Sequence, residues 1–495
     1  MKMFFKIVIV VVILFLPGFT SQGQVLKFNK TYGEMTYNYG QRIIQANDEG
    51  YFILGNESGD IGNTNIHIIR TDSLGVILFE KTIGDASLYW ANDFKRTSDN
   101  GFLIAGFTNK YPEKGYDVLL VKTDSNANVE WEKTYGGASW DIANAVIETK
   151  DSAYLIVGET YSYGPANENI YIIKTNYNGD TIWTRTFGGD STDYAKAADV
   201  LFDSTYLIGA TTNSFGFGNF DGYVLNLSTN GDTLWTQTYG QDKEDIINSI
   251  KQTPDSGFVF VGSTMSYNAI QHEYWLMKYN KSRNCIWQLP VPWNITSGDD
   301  VLYNITLDDS SRYILTGYTT SFGNGEKDLL FLILGENNDF KFSLTGGFSG
   351  NDEGLFSLQT KDKGYIMLGT TENGGTGNSN IYVIKIANDY SFSSTTEQVT
   401  DDEEMKSLNN NLSSNIYPNI SNGIFNLQLS KEESMSKYEL IVSDIMGNNI
   451  LISEVYPNNY SPHIIDLTKY PAGLYFITVF NREHHYNYKV IKCNN

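Results

Sequence analysis

Apolar residues in this chain come in short bursts, rich in Val, Ile, Leu and aromatics and parted by Gly, Asn, Asp and Ser. That pattern predicts β-strands joined by tight turns. The long amphipathic runs that helical repeats need are absent. The bursts also recur at a fixed distance. A Gly closing an apolar run stands at Gly55, Gly106, Gly158, Gly209, Gly262, Gly317 and Gly369. An aromatic residue, followed three positions later by Thr in all but the sixth copy, stands at Phe28, Phe79, Trp131, Trp183, Trp235, Trp287 and Phe342. Both anchors return every 51–55 residues, seven times each. Self-similarity on that scale is the signature of a repeat architecture.

One repeat shows what each copy holds. Residues 143–149, 154–160, 170–175 and 181–187 are four strand-like segments. Lys150-Asp151-Ser152 and Asn178-Gly179 separate them, and Asn-Gly is a strong hairpin signal. Four strands per unit and seven units predict an all-β chain, a seven-bladed β-propeller with four-stranded blades. The phase agrees. The chain enters near residue 25 with a fourth-strand sequence, KFNKTYG, and leaves near residue 390 after a third strand, IYVIKIAND. The first segment is then expected to complete the last blade, closing the ring and hiding its sheet edges. An open β-solenoid or two packed sandwiches is the alternative.

The ends differ from the repeats. Residues 1–23 carry Lys2 and Lys6, an apolar run at 7–16, Pro17 and the small residues of Ser21-Gln22-Gly23, the layout of a signal peptide. That run is too short to span a bilayer, which takes ~20 residues. No later run approaches membrane length, so no transmembrane segment is expected. Residues 24–390 hold the propeller repeats. Residues 391–413 are polar and acidic and read as a flexible linker. Residues 414–495 alternate strands with Gly and Asn turns, the pattern of a small C-terminal β-sandwich.

Charge and chemistry narrow the function. There are 35 Lys+Arg against 57 Asp+Glu, a formal charge of -22, which repels phosphate and argues against a nucleic-acid partner. The two cysteines, Cys285 and Cys493, fall in different expected domains and supply neither a disulfide framework nor a CxxC metal site. His67 and His272 are the only histidines in the repeats, too few for a multi-His centre. GxSxG, HExxH and P-loop motifs are absent. No catalytic residue is assigned. The abundance of Asp and Glu leaves carboxylate-pair glycosidase chemistry open.

Three quasi-symmetric rings follow from the repeat. The first is Asn38, Tyr89, Asp141, Asp193, Asp245, Asp300 and Asp352, placed at the start of each inner strand, at the mouth of an axial channel. Its five carboxylates either cap local turns or together attract a cation such as Ca²⁺. The second is Asn65, Asp117, Asn169, Asp221, Glu273, Asp328 and Asn380, whose regularity favours a role in turns. The third is Tyr111, Tyr163, Phe215, Tyr267 and Phe322, in the loops after the second strand, broken by Asp60 and Gly374. Aromatics beside Gly, Ser and Asn suit stacking on sugar rings or a protein partner, and equally suit packing between blades.

Two resemblances add to this. The turn and outer strand at Thr175-Asn176 to Trp183, and at Thr229-Asn230 to Trp235, resemble bacterial propeller families with a T-D-x-N-G-D-x-x-W turn. They are also similar to the tryptophan-docking motif of pyrroloquinoline-quinone enzymes. Those enzymes usually carry one blade more, and some use a vicinal Cys pair that is missing here. At the C-terminus stand Tyr417-Pro418-Asn419 with Gly423 and Phe425, then Asp444 to Gly447, then Pro471, Gly473 and Tyr475, and basic Lys489 and Lys492. These blocks resemble the C-terminal sorting domain of type IX secretion substrates of the Bacteroidetes, with Ile420 where Pro is frequent. That resemblance implies passage through the periplasm, recognition by the type IX machinery, and a secreted or cell-surface destination. The leading expectation is a non-catalytic propeller binding a glycan or surface protein on its loop-rich face. The competing one is a secreted polysaccharide hydrolase or lyase, and behind it a quinone-dependent dehydrogenase.

Overall fold

A computed structural model describes residues 26–387 apart from 34–36, 60–62, 112–114, 166–167, 268, 270, 291–297, 322–325, 373 and 376. Beyond these it describes 396–399, 414–417, 420–421, 424–429, 437–443, 449–455, 463–470, 473–480 and 485–492. Residues 1–23, expected to form a signal peptide, and all of the expected linker except 396–399 lie outside the described residues.

The repeats fold as four-stranded antiparallel meanders. In the repeat dissected above the strands are Asp141–Glu148, Tyr154–Thr160, Asn169–Thr175 and Thr181–Phe187, paired in chain order. The same sheet forms at 89–135, 193–239 and 245–290. At 300–346 a fifth strand, Thr396–Val399, joins the outer edge. The remaining strands share one eight-stranded sheet. One half is 37–83; the other is Asp352–Gln359, Tyr365–Glu372, Ser379–Ile386 and, from the chain start, Leu26–Tyr32. A single parallel pair, Tyr37 with Ser379, links the halves.

Burial within a sheet follows the sequence pattern. The third strands, such as Asn169–Thr175, are buried throughout and read as continuous apolar runs. The outer strands, such as Thr181–Phe187, are mostly exposed and alternate with polar residues. The anchoring glycines have a steric reason. Each inner strand carries a bulge facing the second strand, for example between Ala143 and Ala145 opposite Gly158. There the carbonyl of Ile142 comes so close that a Cβ on Gly158 would collide with it. In the 193–239 sheet the glycine falls one residue early: Gly209 pairs with Ala197 beyond the bulge, and Ala210 takes the usual place opposite Ala195.

The cores lie between consecutive sheets. Leu155, Val157, Ile170 and Ile172 pack with Ile208, Ala210, Tyr223 and Leu225 of the next. Likewise Ile366, Leu368, Ile381 and Val383 of the last repeat pack with Ile43, Tyr51, Ile53 and Ile69 of the first. Outer-strand aromatics reach forward: Trp287 meets Tyr313 edge-on at 5.5 Å, and Trp235 stacks on Phe258 at 6.0 Å. The rings they cover, Tyr313 and Phe258, are buried, and full burial of such a side chain stabilises by ~1.5–3 kcal/mol.

The C-terminal unit has a three-stranded sheet (Ser414–Tyr417, Ile424–Leu429, His463–Asp466) and a five-stranded one. The latter runs Ile420–Ser421, His485–Lys492, Gly473–Phe480, Tyr438–Ser443 and Asn449–Val455. Phe425 and Ile465 from the first share a core with Leu440, Tyr475, Ile477 and Val490 from the second. Among the described residues no helix is long and apolar enough to cross a membrane.

Candidate ligand-binding face

One edge of the repeat sheets gathers the loops entering the inner strand and those after the second strand. Backbone bonds staple them together. Asp141 N–H donates to the Tyr116 carbonyl of the preceding sheet at 2.7 Å, and Tyr161 N–H donates to the Trp140 carbonyl at 2.7 Å. Equivalent bonds run from Asp245 to Phe220 and from Met265 to Glu244, each at 2.7 Å.

The first ring is placed differently from the expectation. Asp141, Asp193, Asp245 and Asp352 are fully buried and Asp300 is 3% exposed, so they do not open onto a channel mouth. Their oxygens are engaged as acceptors. Asp193 receives the Ser214 hydroxyl at 2.6 Å, the Gly189 N–H at 2.9 Å and the Thr212 hydroxyl. Asp245 receives Ser266 at 2.7 Å, Gln241 N–H at 2.9 Å and the Thr264 hydroxyl. Asp141 takes Ser162 at 2.6 Å and Gly137 N–H at 2.8 Å; Asp300 takes Ser321 at 2.9 Å. Asp352 takes Phe348 N–H at 2.7 Å. Asp141, Asp193, Asp245 and Asp300 thus tie the loop entering the inner strand to the loop after the second strand, and Asp352 anchors its own entry loop. Among the described residues no group of three or more His, Cys, Asp or Glu side chains is arranged to hold a metal ion.

The second ring is buried except for half-exposed Asn65. It meets the first ring from the next sheet. A Cβ on Gly240 would strike both Asp221 and Asp245, and its φ of 137° already favours glycine. Burial, with Asp245 close by, pushes the Asp221 carboxyl up to about 7, against a Phe217 N–H bond that lowers it. Burial, with Asp328 and Glu372 nearby, lifts Asp352 to about 6.

The third ring lies on the same face. Tyr111, Tyr163 and Phe215 are exposed by 44%, 43% and 42%; Tyr267 is half-buried, and Phe322 lies outside the described residues. Tyr163 leans on Tyr171 and Phe215 on Tyr223, both at 5.6 Å, within their own sheets. Tyr267 helps line a cleft of about 700 Å³ with Phe217, Gly240, Gln241, Asp242, Lys243 and Ser266. It holds a left-handed backbone, φ 54°. Burial and the neighbouring Asp245 raise its phenol to about 12, so it stays a neutral hydrogen-bond donor.

A second feature was missed at the level of sequence. Seven aromatic rings run in unbroken contact: Tyr37–Tyr39 (6.4 Å), Tyr39–Trp90 (5.5 Å), Trp90–Phe107 (6.2 Å), Phe107–Tyr116 (5.2 Å), Tyr116–Trp140 (5.2 Å) and Trp140–Tyr161 (6.1 Å). Tyr37, Trp140 and Tyr161 are exposed by 37%, 50% and 37%; the rings between are half-buried. At the register positions of Phe107 and Tyr116, the next sheet carries Glu159 and Glu168. Burial and the like charge of Glu168 lift Glu159 to about 7. Burial raises Glu168 as well, against hydrogen bonds from Tyr161 and Thr192; Lys196 lowers both. The rings sought above were positions alike in every repeat. Comparing repeats for the positions that differ would have exposed this row.

Residues 415–493 match the family model of the secretion system C-terminal sorting domain. This is the type IX sorting tail, and it directs the chain to the cell surface or beyond through the type IX machinery. Of its motif residues, Phe425 and Tyr475 are buried in the shared core, and Tyr417, Gly473, Lys489 and Lys492 lie in strands. Pro418, Asn419, Gly423, Asp444, Gly447 and Pro471 lie outside the described residues. No curated protein matches the chain. Solved structures similar to it include a Bacteroides caccae protein of unknown function, at 10% identity and TM-score 0.34, over 51% of this chain and 78% of that one. A puromycin hydrolase is 9% identical with TM-score 0.45, over 68% of this chain and half (50%) of its own length. The extracellular domain of a one-component system of B. thetaiotaomicron is 10% identical with TM-score 0.32, over 92% and 69%.

Proposed function

We propose that the chain is a seven-bladed propeller followed by a sandwich-like sorting tail, and that it binds a glycan on its loop-bearing face without turning it over. Counting the two halves of the eight-stranded sheet as separate blades gives seven, with Leu26–Tyr32 completing the last. The observation that carries the glycan reading is a segregation of exposed apolar side chains. Among the described residues of the repeats, those exposed on the loop-bearing face are all aromatic: Tyr37, Tyr111, Trp140, Tyr161, Tyr163, Phe215 and Phe217. The exposed aliphatics lie elsewhere, on outer strands (Val129, Ile182, Leu234, Ile286) or in the turn at Leu74 and Val76, and two further exposed aromatics, Tyr177 and Phe202, stand in turns at the opposite edge. Flat rings set among Ser, Asn and Gly suit the C–H faces of sugars, whereas a protein interface enriches Met and Arg beside its aromatics and is poor in Ser. A glycan-array screen of the secreted protein, with calcium and with chelator, tests this. Selective binding is expected; an array without a hit overturns the reading.

A further inference from the structure

Resting on the glycan reading, we propose that the aromatic row from Tyr37 to Tyr161 is the site of one extended, neutral, β-1,4-linked polysaccharide strand, held at its end by the Glu159–Glu168 carboxyl pair. Three observations point there. First, the row is continuous, with ring centroids 5.2–6.4 Å apart, a spacing on the scale of successive sugar units in an extended chain. Second, it is asymmetric. The inner-strand position of Tyr39 and Trp90 is aromatic in one other repeat, as Tyr194, and becomes Ile142, Ile246, Val301 and Glu353 in the remaining four, so an aromatic there is not needed to build the fold. Third, its polar end is acidic yet partly neutralised. The carboxyls of Glu159 and Glu168 lie near each other and near Lys196, and Asn144 offers its amide to Glu159 at 3.4 Å. Carboxyls so placed both donate to and accept from hydroxyl groups. They repel uronates, as does the chain's charge of -22.

The row is built to hold its rings still. Trp140 is pinned on one side by the Tyr116–Asp141 backbone bond and on the other by the bond from Tyr161. The Trp90 indole N–H is occupied by Asn92 Oδ1 at 3.0 Å, which leaves its ring to stack against Phe107. Fixed aromatics bind with little loss of side-chain entropy.

The test is calorimetry on the full-length mature protein with cellohexaose, xylohexaose and mannohexaose, with their disaccharides, and with a galacturonate oligomer. At least one neutral hexasaccharide should bind, tighter than its disaccharide, and the galacturonate should not. Trp140→Ala and Glu159→Gln should each weaken that binding about tenfold, the change that ~1.4 kcal/mol produces. Trp140 is half exposed, so the variant keeps the fold, and an unchanged melting temperature checks this. If array glycans bind but Trp140→Ala leaves them unaffected while Tyr267→Ala abolishes binding, the row proposal falls and the glycan reading survives at the Phe217–Tyr267 cleft. Preference for the uronate also sinks the proposal. An array without a hit sinks both.

Discussion

Asp221 and Asp245 come from consecutive sheets and meet around Gly240, where no side chain fits between them. Asp221 receives the Phe217 N–H at 2.8 Å and Asp245 the Gln241 N–H at 2.9 Å, so each carboxyl also anchors a loop lining the Phe217–Tyr267 cleft. The joint between sheets and the loop face therefore share the same two side chains.

Buried carboxyls of these two rings, Asp221 and Asp352, make stability depend on pH in an unusual direction. Burial raises Asp221 to about 7 and Asp352 to about 6 in the folded chain. An unfolded Asp titrates near ~3.9. Between those values the folded chain binds more protons than the unfolded one, so stability grows as pH falls. It is fully present below the unfolded value and lost as pH rises through the folded ones. Melting temperature should be higher at pH 5 than at pH 8. Asp221→Asn should flatten the slope. A melting temperature that rises steadily from pH 5 to pH 8 would contradict this account.

The buried lysines closing the third strands predict an asymmetry between partners. Lys174 is 4% exposed and donates to Asp151 at 2.7 Å, while Asp151 stands largely in solvent. Lys278–Asp255 at 3.1 Å and Lys385–Asp362 at 2.9 Å repeat the arrangement. Asp151→Ala strips the buried ammonium of its carboxylate, leaving it the Thr229 carbonyl at 3.4 Å, and should cost about 1–3 kcal/mol in urea unfolding. Lys174→Met leaves Asp151 hydrated and the stem packed, and should cost less. The reverse order would refute the argument.

Gly115 controls the Trp140 ring. Its φ is 84°, and a Cβ there would collide with the indole. Gly115→Val should displace Trp140, raise acrylamide quenching of tryptophan fluorescence and destabilise by ~1–3 kcal/mol through left-handed strain. Unchanged quenching would mean that the indole does not lie on this loop.

Export depends on the tail. Deleting residues 415–495 removes the sorting domain and should strand the protein in the periplasm, as cell fractionation would show. Surface display of the truncated chain would be incompatible with sorting through this domain.

The repeat, the strand order and the sorting tail were legible in the chain because each rests on local chemistry. Apolar bursts, Asn-Gly turns and the anchor at Gly158 occupy fixed places within one unit, and copies reinforce one another. The aromatic row was not legible. Tyr39 meets Trp90, and Tyr116 meets Trp140, only because consecutive sheets pack side by side and bring residues some 24–51 positions apart into one layer.

The carboxylates make the same division. By itself, the sequence determined that an Asp recurs at 141, 193, 245, 300 and 352, because the repeat spacing requires only counting. Whether those groups line an opening or close it was decided by tertiary structure. Hydroxyls such as Ser162 and Ser214, on a different loop of the repeat, arrive within hydrogen-bonding distance and bury each acid. Burial is a property of the surrounding atoms, and only folding brings those atoms together.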